Sequence, residues 1–418
     1  MPSNSTPLSA YQIRLLAVLA LINFVNFADR TVVVPLLPLL REQLSLTDTQ
    51  LGSLQTGLLV VLALASMPFG LLADRFSRTQ IIASGIVFWS LATIACGFAP
   101  SFFILLIARS LIGIGEAAYA PAAQSMISDS FPYERRAMAQ AIFASGMLLG
   151  GAAGQAFGGI MGVVHGWKYT FIIVGLVCLI PSAFVLRVPE PPRRPRSEVV
   201  PVSSLLRVPA FIAMIVAGTC ITFSSVSIIT WGIDFAVNYK EFSLREASVS
   251  LAVIVLAALL LGVLSGGFFA DRLHRKYPYG RILVIGAAFL LAAPFVLLAI
   301  QTDEKWIFLT AMFIGGYFMS WYHGPVTAVL HDLTPQRAHS TAIGVYMFVT
   351  QLLGALGPQL VGKISDASDL QLGLQVATAV MVFGSLLMFL VTYFVRRDGL
   401  HHPSLASFRL EAHDEHPI

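Results

Sequence analysis

The sequence predicts an all-α integral membrane protein, with twelve transmembrane helices in two pseudo-repeated six-helix bundles. Three observations predict this: a shortage of charge, apolar runs of membrane-spanning length, and a nonapeptide that occurs twice at matching places. Of 418 residues, 56% are hydrophobic and only 11% are charged, against about 25% charged in a soluble domain. With a mean hydropathy of +0.79, the chain has too little charge to cover a water-facing surface. Its apolar side chains therefore face lipid.

A spanning helix needs about 20 mostly apolar residues. Such runs lie near 12–40, 49–73, 80–98, 101–129, 136–163 and 167–187, and a second set lies near 208–237, 245–270, 281–300, 306–331, 338–363 and 370–397. They define an N-terminal bundle (1–187) and a C-terminal bundle (208–397). Between them runs a cytosolic linker (188–207), and after them a tail (398–418) expected to be disordered and cytosolic. The stretch Val188 to Ser204 holds five prolines, three arginines and no apolar run. The first apolar run continues as a spanning helix and lacks the cleavage site of a secretory leader.

Lys and Arg in short loops set the orientation. With the N-terminus inside, 18 of the 26 bases fall on the cytosolic side and 6 on the outer side, with Arg30 and Arg109 left within the membrane. This asymmetry places both termini in the cytosol and suits the inner (plasma) membrane. The net charge of +4 is thus a matter of topology, and without a basic patch interleaved with aromatics no nucleic acid partner is expected. Cys96, Cys178 and Cys220 sit in apolar runs as packing residues. The histidines at 401, 402, 413 and 416 lack zinc spacing, and no metal or cofactor is expected.

The repeat is explicit. Gly70-Leu-Leu-Ala-Asp74-Arg75-Phe-Ser-Arg78 follows the second span, and Gly267-Phe-Phe-Ala-Asp271-Arg272-Leu-His-Arg275 follows the eighth. A weaker echo pairs Asp129-Ser-Phe-Pro132 with Asp332-Leu-Thr-Pro335. Halves related by an axis along the membrane normal place a binding site near the midplane.

GLLADRFSR and its copy resemble the loop signature of the major facilitator superfamily, over the whole chain. Arg109-Ser-Leu-Ile-Gly113-Ile-Gly115-Glu116-Ala117-Ala-Tyr119, with Asn26-Phe-Ala-Asp29-Arg30, resembles the Spinster branch. That resemblance implies a transporter of sphingolipids or lysophospholipids, proton-linked in bacterial relatives. Ser77 departs from the pattern, since many superfamily members carry Gly there.

An ionised side chain at the bilayer centre costs at least about 2.5–3.5 kcal/mol. Asp29, Arg30, Arg109 and Glu116 all fall within two spans of the first half. Arg109 and Glu116, two turns apart, share a helix face, and both an Asp29–Arg109 and an Arg30–Glu116 pair fit the register. Glu116 and then Asp29 are the expected proton-titrating groups, because burial favours the neutral carboxyl and a nearby guanidinium the ionised one. Arg30 and Arg109 suit a phosphate or carboxylate. The alternative is a neutralised structural cluster tying the first helix to the fourth.

Substrate contacts are also expected from Tyr119, from Ser224 and Trp231 in the seventh span, and from Tyr322 and His323 in the tenth. Asp74, Arg75, Arg78, Arg135, Asp271, Arg272 and Arg275 are expected to form a cytosolic latch. In it Asp74 would face the eleventh span near His339, and Asp271 the fifth near Arg136, using the positive helix N-termini. Gly146, Gly150, Gly154 and Gly158 recur at the close-packing interval of membrane helices, and Gly354, Gly357 and Pro358 interrupt the eleventh span.

These readings lead to a proton-coupled secondary transporter, expected to be a monomer, that moves an amphipathic charged lipid. The rival is a proton symporter of a small organic anion such as a sugar acid. The second half has almost no charge in its spans, which favours cargo with a large apolar part. An intramembrane enzyme is disfavoured, since no HExxH, GxSxG or GxGD run occurs. Gly357 to Lys363 nearly spells a phosphate-binding loop, but Ile364 stands where Ser or Thr is needed and the run closes a membrane helix.

Overall fold

The computed structural model describes residues 8–192, 201–335 and 338–397, without the side chains at 74, 133, 134 and 137. The expected disordered tail and the middle of the linker (193–200) lie outside the described residues. Twelve spans run through what is described. We label them α1 (Ala10–Leu44), α2 (Asp48–Arg75), α3 (Arg78–Gly97), α4 (Phe102–Ser130), α5 (133–165), α6 (167–185), α7 (Pro209–Tyr239), α8 (Leu244–Lys276), α9 (Gly280–Gln301), α10 (305–333), α11 (His339–Ala367) and α12 (Leu370–Arg397). Ten continuous helices among the described residues are long and apolar enough to cross a membrane. The count reaches twelve because one of those ten, Tyr133–Val185, contains two spans, and because α10 is broken into pieces too short to count.

The interruptions follow from the residues that make them. The helix Tyr133–Val185 breaks at Gly166, whose φ of 77° and ψ of 169° lie outside the helical region. In α10, Pro325 has no N–H to give the carbonyl of Trp321, and its ring crowds that carbonyl. The chain takes a 3-10 turn over Ser320–Tyr322 between Lys305–Met319 and His323–Leu333. Pro35 sets a similar turn, Val34–Leu36, in the C-terminal part of α1. The N-terminal end of α1 is closed by a capping box, in which Gln12 N donates to Ser9 Oγ at 3.2 Å and Ser9 N to Gln12 Oε1 at 3.0 Å.

The described helices cluster into two compact units. The first is Met1–Leu46, Ser53–Pro195 and Leu244–Ala252, and the second is Thr47–Gly52, Arg196–Ser243 and Val253–Ile418.

In the first unit, the glycine stripe of α5 lies on the backbone of α1. A side chain at Gly146 would meet Ala20 O at 2.5 Å. One at Gly150 would meet Phe24 Cα at 2.9 Å, one at Gly154 Ala28 Cα at 2.7 Å, and one at Gly158 Val32 O at 2.7 Å. Both series advance by four, so the helices run parallel in close contact and the stripe fixes the rotation of α1. Likewise, Gly113 lets α4 approach Leu62 N of α2 (2.8 Å), and Gly115 lets it approach Trp89 N of α3 (2.7 Å). In the second unit α11 lies on α7 through Gly354 and Gly357, and α8 seats the broken part of α10 at Gly262 and Gly266.

Candidate functional site

The contact between α1 and α5 turns Asn26, Asp29 and Arg30 away from lipid. The glycines of α4 hold Arg109 and Glu116 beside them. Asp29 and Arg109 have no exposed surface, and Glu116 is 1% exposed. Arg30 differs, with a side chain 18% exposed. Its Nη2 and Nε both donate to Glu116 Oε2, at 2.7 and 3.0 Å, and its guanidinium carbon sits 4.5 Å from the centre of the Phe27 ring. Nη2 also reaches Asn26 Oδ1 at 3.4 Å.

Of the two pairings allowed by the register, the structure forms Arg30–Glu116. Asp29 accepts instead from Thr93 Oγ1 at 2.7 Å, and Arg109 Nη2 donates to Gln55 Oε1 at 3.4 Å. Five atoms of this cluster are buried without a hydrogen-bond partner: Asp29 Oδ1, Glu116 Oε1, Asn26 Nδ2, and Arg109 Nε and Nη1. Buried polar groups are normally satisfied. So many unmet atoms of both signs in one place mark a cluster with capacity for a proton, water or cargo. Two carboxylates and two guanidiniums balance when all are ionised, so adding one proton leaves a net positive charge there.

The sequence reading named the four charges but gave no role to Asn26, Gln55 and Thr93. Their signal was present as amide and hydroxyl residues inside apolar runs. Asp234, fully buried in α7, is another charge it passed over.

The other expected contacts are placed as follows. Ser224 is fully buried, with Oγ donating to Cys220 O at 2.9 Å and Ala377 O at 2.7 Å. Trp231 is equally buried, and its Nε1 donates to Pro358 O at 3.0 Å. In both, a backbone carbonyl has consumed the polar group, so these residues join α7 to α12 and α11. Tyr119 is 2% exposed and its hydroxyl donates to Asn23 Oδ1, while Asn23 Nδ2 donates to Phe143 O at 2.7 Å. It supports the cluster from behind. Tyr322 is half-buried and His323 exposed.

At the N-terminal end of α3, Arg78 is 2% exposed and binds on several sides. Nη1 meets Asp129 Oδ2 at 2.5 Å and Ser125 Oγ at 3.0 Å, Nε meets Glu190 Oε1 at 3.0 Å, and Nη2 meets Pro191 O at 2.7 Å. Partial burial pushes the Glu190 carboxyl up, but hydrogen bonds from Arg78 and Ser77 outweigh it and hold the group below its ordinary 4.5. In the second unit, Asp271 accepts from Arg281 (3.0 Å), which also binds Asp332 at 2.9 Å. Arg275, the expected latch residue, is exposed, as are Arg75 and Arg272, while Arg135 is half-buried. The side chain of Asp74 lies outside the described residues.

A numerical offset explains the substitution of Arg281 for Arg275. The nonapeptides are 197 residues apart, but Asp129 and Asp332 are 203 apart, as are Arg78 and Arg281. The second loop is longer, so the arginine that meets the acid at the end of the fourth or tenth span has moved out of the repeated motif.

The profile described as Major Facilitator Superfamily matches residues 19–358 and 235–409. An MFS-type efflux pump of Mycolicibacterium smegmatis is 27% identical over 398 residues, covering 91% of this chain and 92% of the pump. Protein spinster homolog 1 of Homo sapiens is 28% identical over 383 residues, covering 84% of this chain and 72% of the relative. Among solved structures, a bacterial homologue of the human lysosomal transporter Spinster, in an inward-facing and unoccupied conformation, superposes with a TM-score of 0.84. It is 24% identical, and the match covers 94% of this chain and 99% of that one.

Proposed function

The chain belongs to the major facilitator superfamily, and from that premise we propose that it moves an amphipathic charged lipid, of lysophospholipid or sphingoid type, in exchange or in company with protons. It is a multi-pass membrane transporter and not an enzyme. Similarity to spinster homologues supports the lipid. The observation that carries the reading is the buried cluster of Asp29, Arg30, Arg109 and Glu116, with unmet atoms on three of the four.

In this reading Arg30, the partly exposed member, meets the anionic part of the cargo and Glu116 is its resident counter-ion. Cargo and Glu116 compete for one guanidinium, so cargo entry releases the carboxylate and favours its protonation. Asp29, held by Thr93, is the second proton site, and Arg109 supplies the positive field between them. Alternating access then carries the loaded cluster from one side to the other. The 18 to 6 distribution of bases supports both termini on the cytosolic side, and we place the protein in the inner membrane on that reading.

A second reading, symport of a small organic anion, is favoured by the exposure of Arg30, whose planar fork accepts any carboxylate. Counterflow in proteoliposomes with a lysophospholipid, a sphingoid base and a sugar acid, with and without a pH gradient, separates the two. Uptake of the sugar acid alone rejects the lipid reading, and gradient-independent uptake rejects proton coupling.

A further inference from the structure

The internal repeat places Tyr322 and Tyr346 where the first half has Tyr119 and Phe143, each pair of counterparts 203 residues apart. In α1 and α7 the offset is 195: Gly154 lies on Ala28 and Gly357 on Phe223. By that offset Asn23 corresponds to Gly218. In the first half, Asn23 absorbs the hydroxyl of Tyr119. In the second half the amide has become Gly218, and Phe143 has become Tyr346, whose hydroxyl fills the place a side chain at 218 would take. Tyr322 Oη and Tyr346 Oη lie 2.6 Å apart.

Two hydroxyls bring two protons, and the bond between them uses one. Among the described residues, neither hydroxyl has another partner. Tyr346 is fully buried, so if Tyr322 were the donor, the Tyr346 O–H would be left dry and unmet, an arrangement that is penalised. Tyr346 therefore donates and Tyr322 accepts, which turns the Tyr322 O–H outward from the one member of the pair that is only half-buried. Accepting a bond also makes that O–H a stronger donor. The Phe289 ring, edge-on at 5.8 Å and 70°, fixes the Tyr322 ring, and His323 packs edge-on at its other side at 5.6 Å.

We infer that Tyr322 is a hydrogen-bond donor for an oxygen acceptor of the cargo, an ester, phosphate or carboxylate oxygen, and that Tyr346 is the positioning residue that aims it. The inference rests on the transport reading above and adds the acceptor chemistry that this half selects.

The test is a double-mutant cycle of Y322F, Y346F and Y322F/Y346F, read by melting temperature in detergent and by lysophospholipid uptake in proteoliposomes. Y322F leaves the Tyr346 O–H unmet and melts lowest, and the double variant melts above it. Uptake gives the complementary pattern: KM rises about 3- to 10-fold in Y322F and in the double variant, the range of one neutral hydrogen bond, while the maximal rate is retained. In Y346F, KM rises less. An unchanged KM in Y322F overturns the inference, as does a double variant that melts no higher than Y322F. Wild-type liposomes that take up no lysophospholipid would end the lysophospholipid reading instead, while the melting cycle would still decide which hydroxyl donates.

Discussion

The four buried charges differ in what each can exchange. Glu116 has Arg30 as a partner and one free oxygen, whereas Asp29 has only a neutral hydroxyl and also one free oxygen. An amide at either position keeps the shape and removes the proton site. D29N and E116Q are each expected to reduce pH-driven uptake at least about tenfold while leaving expression unchanged; full coupling in both would refute the assignment. The same residues show what was readable beforehand. The charges announced themselves because ions are rare at membrane depth. Their pairing depended on helix rotation, which no sequence spacing specifies. Ser224 and Trp231 misled for a related reason: a polar atom in an apolar run signals a need for a partner, and the carbonyls of Ala377 and Pro358 met that need.

At the scale of helices, the α5 stripe makes a prediction with its own control. Gly154 lies against the backbone of α1, while a side chain at Gly151 would meet only Thr31 Cγ2 at 3.9 Å. Overpacking costs about 1–3 kcal/mol, so G154L should lower the melting temperature in detergent and G151A should not. Equal effects would mean that the stripe does not set the α1–α5 contact. Glycines at every fourth position were legible as a packing face, but the face they meet was not, since α1 carries no matching small-residue run. The segment after α6 makes a second prediction. Glu190, held below its ordinary 4.5 by Arg78, binds fewer protons folded than unfolded. Its stabilisation is therefore complete above that ordinary value and lost as pH falls through the lowered one. The protection factors of the Val188 and Glu190 amides, the N–H groups present between 188 and 192, should fall in that acid window, and E190Q should show the lower protection at neutral pH. If E190Q keeps wild-type protection at neutral pH, the contact does not hold the segment.

Across the whole molecule, the repeat was the most legible feature, because a nonapeptide pair and a run of hydropathy need no side-chain geometry. Twelve spans and two halves followed from it. What it could not carry was the loop length between the copies. The motif pointed to Arg275 as the counterpart of Arg78, and the fold uses Arg281. R281Q should destabilise by about 1 kcal/mol, the upper range for a surface ion pair, with R275Q near neutral by the same melting assay. The reverse order would restore the motif-based assignment.

Gly166 joins α5 to α6 within a single residue, at a φ of 77° and ψ of 169° that side chains avoid. The hairpin thus has no slack at its turn. An epitope tag or protease site placed there has no spare chain to loop out from and must unwind a helix end. Of the described connections between spans, this is the one where an inserted tag is expected to be reached least by a labelling reagent.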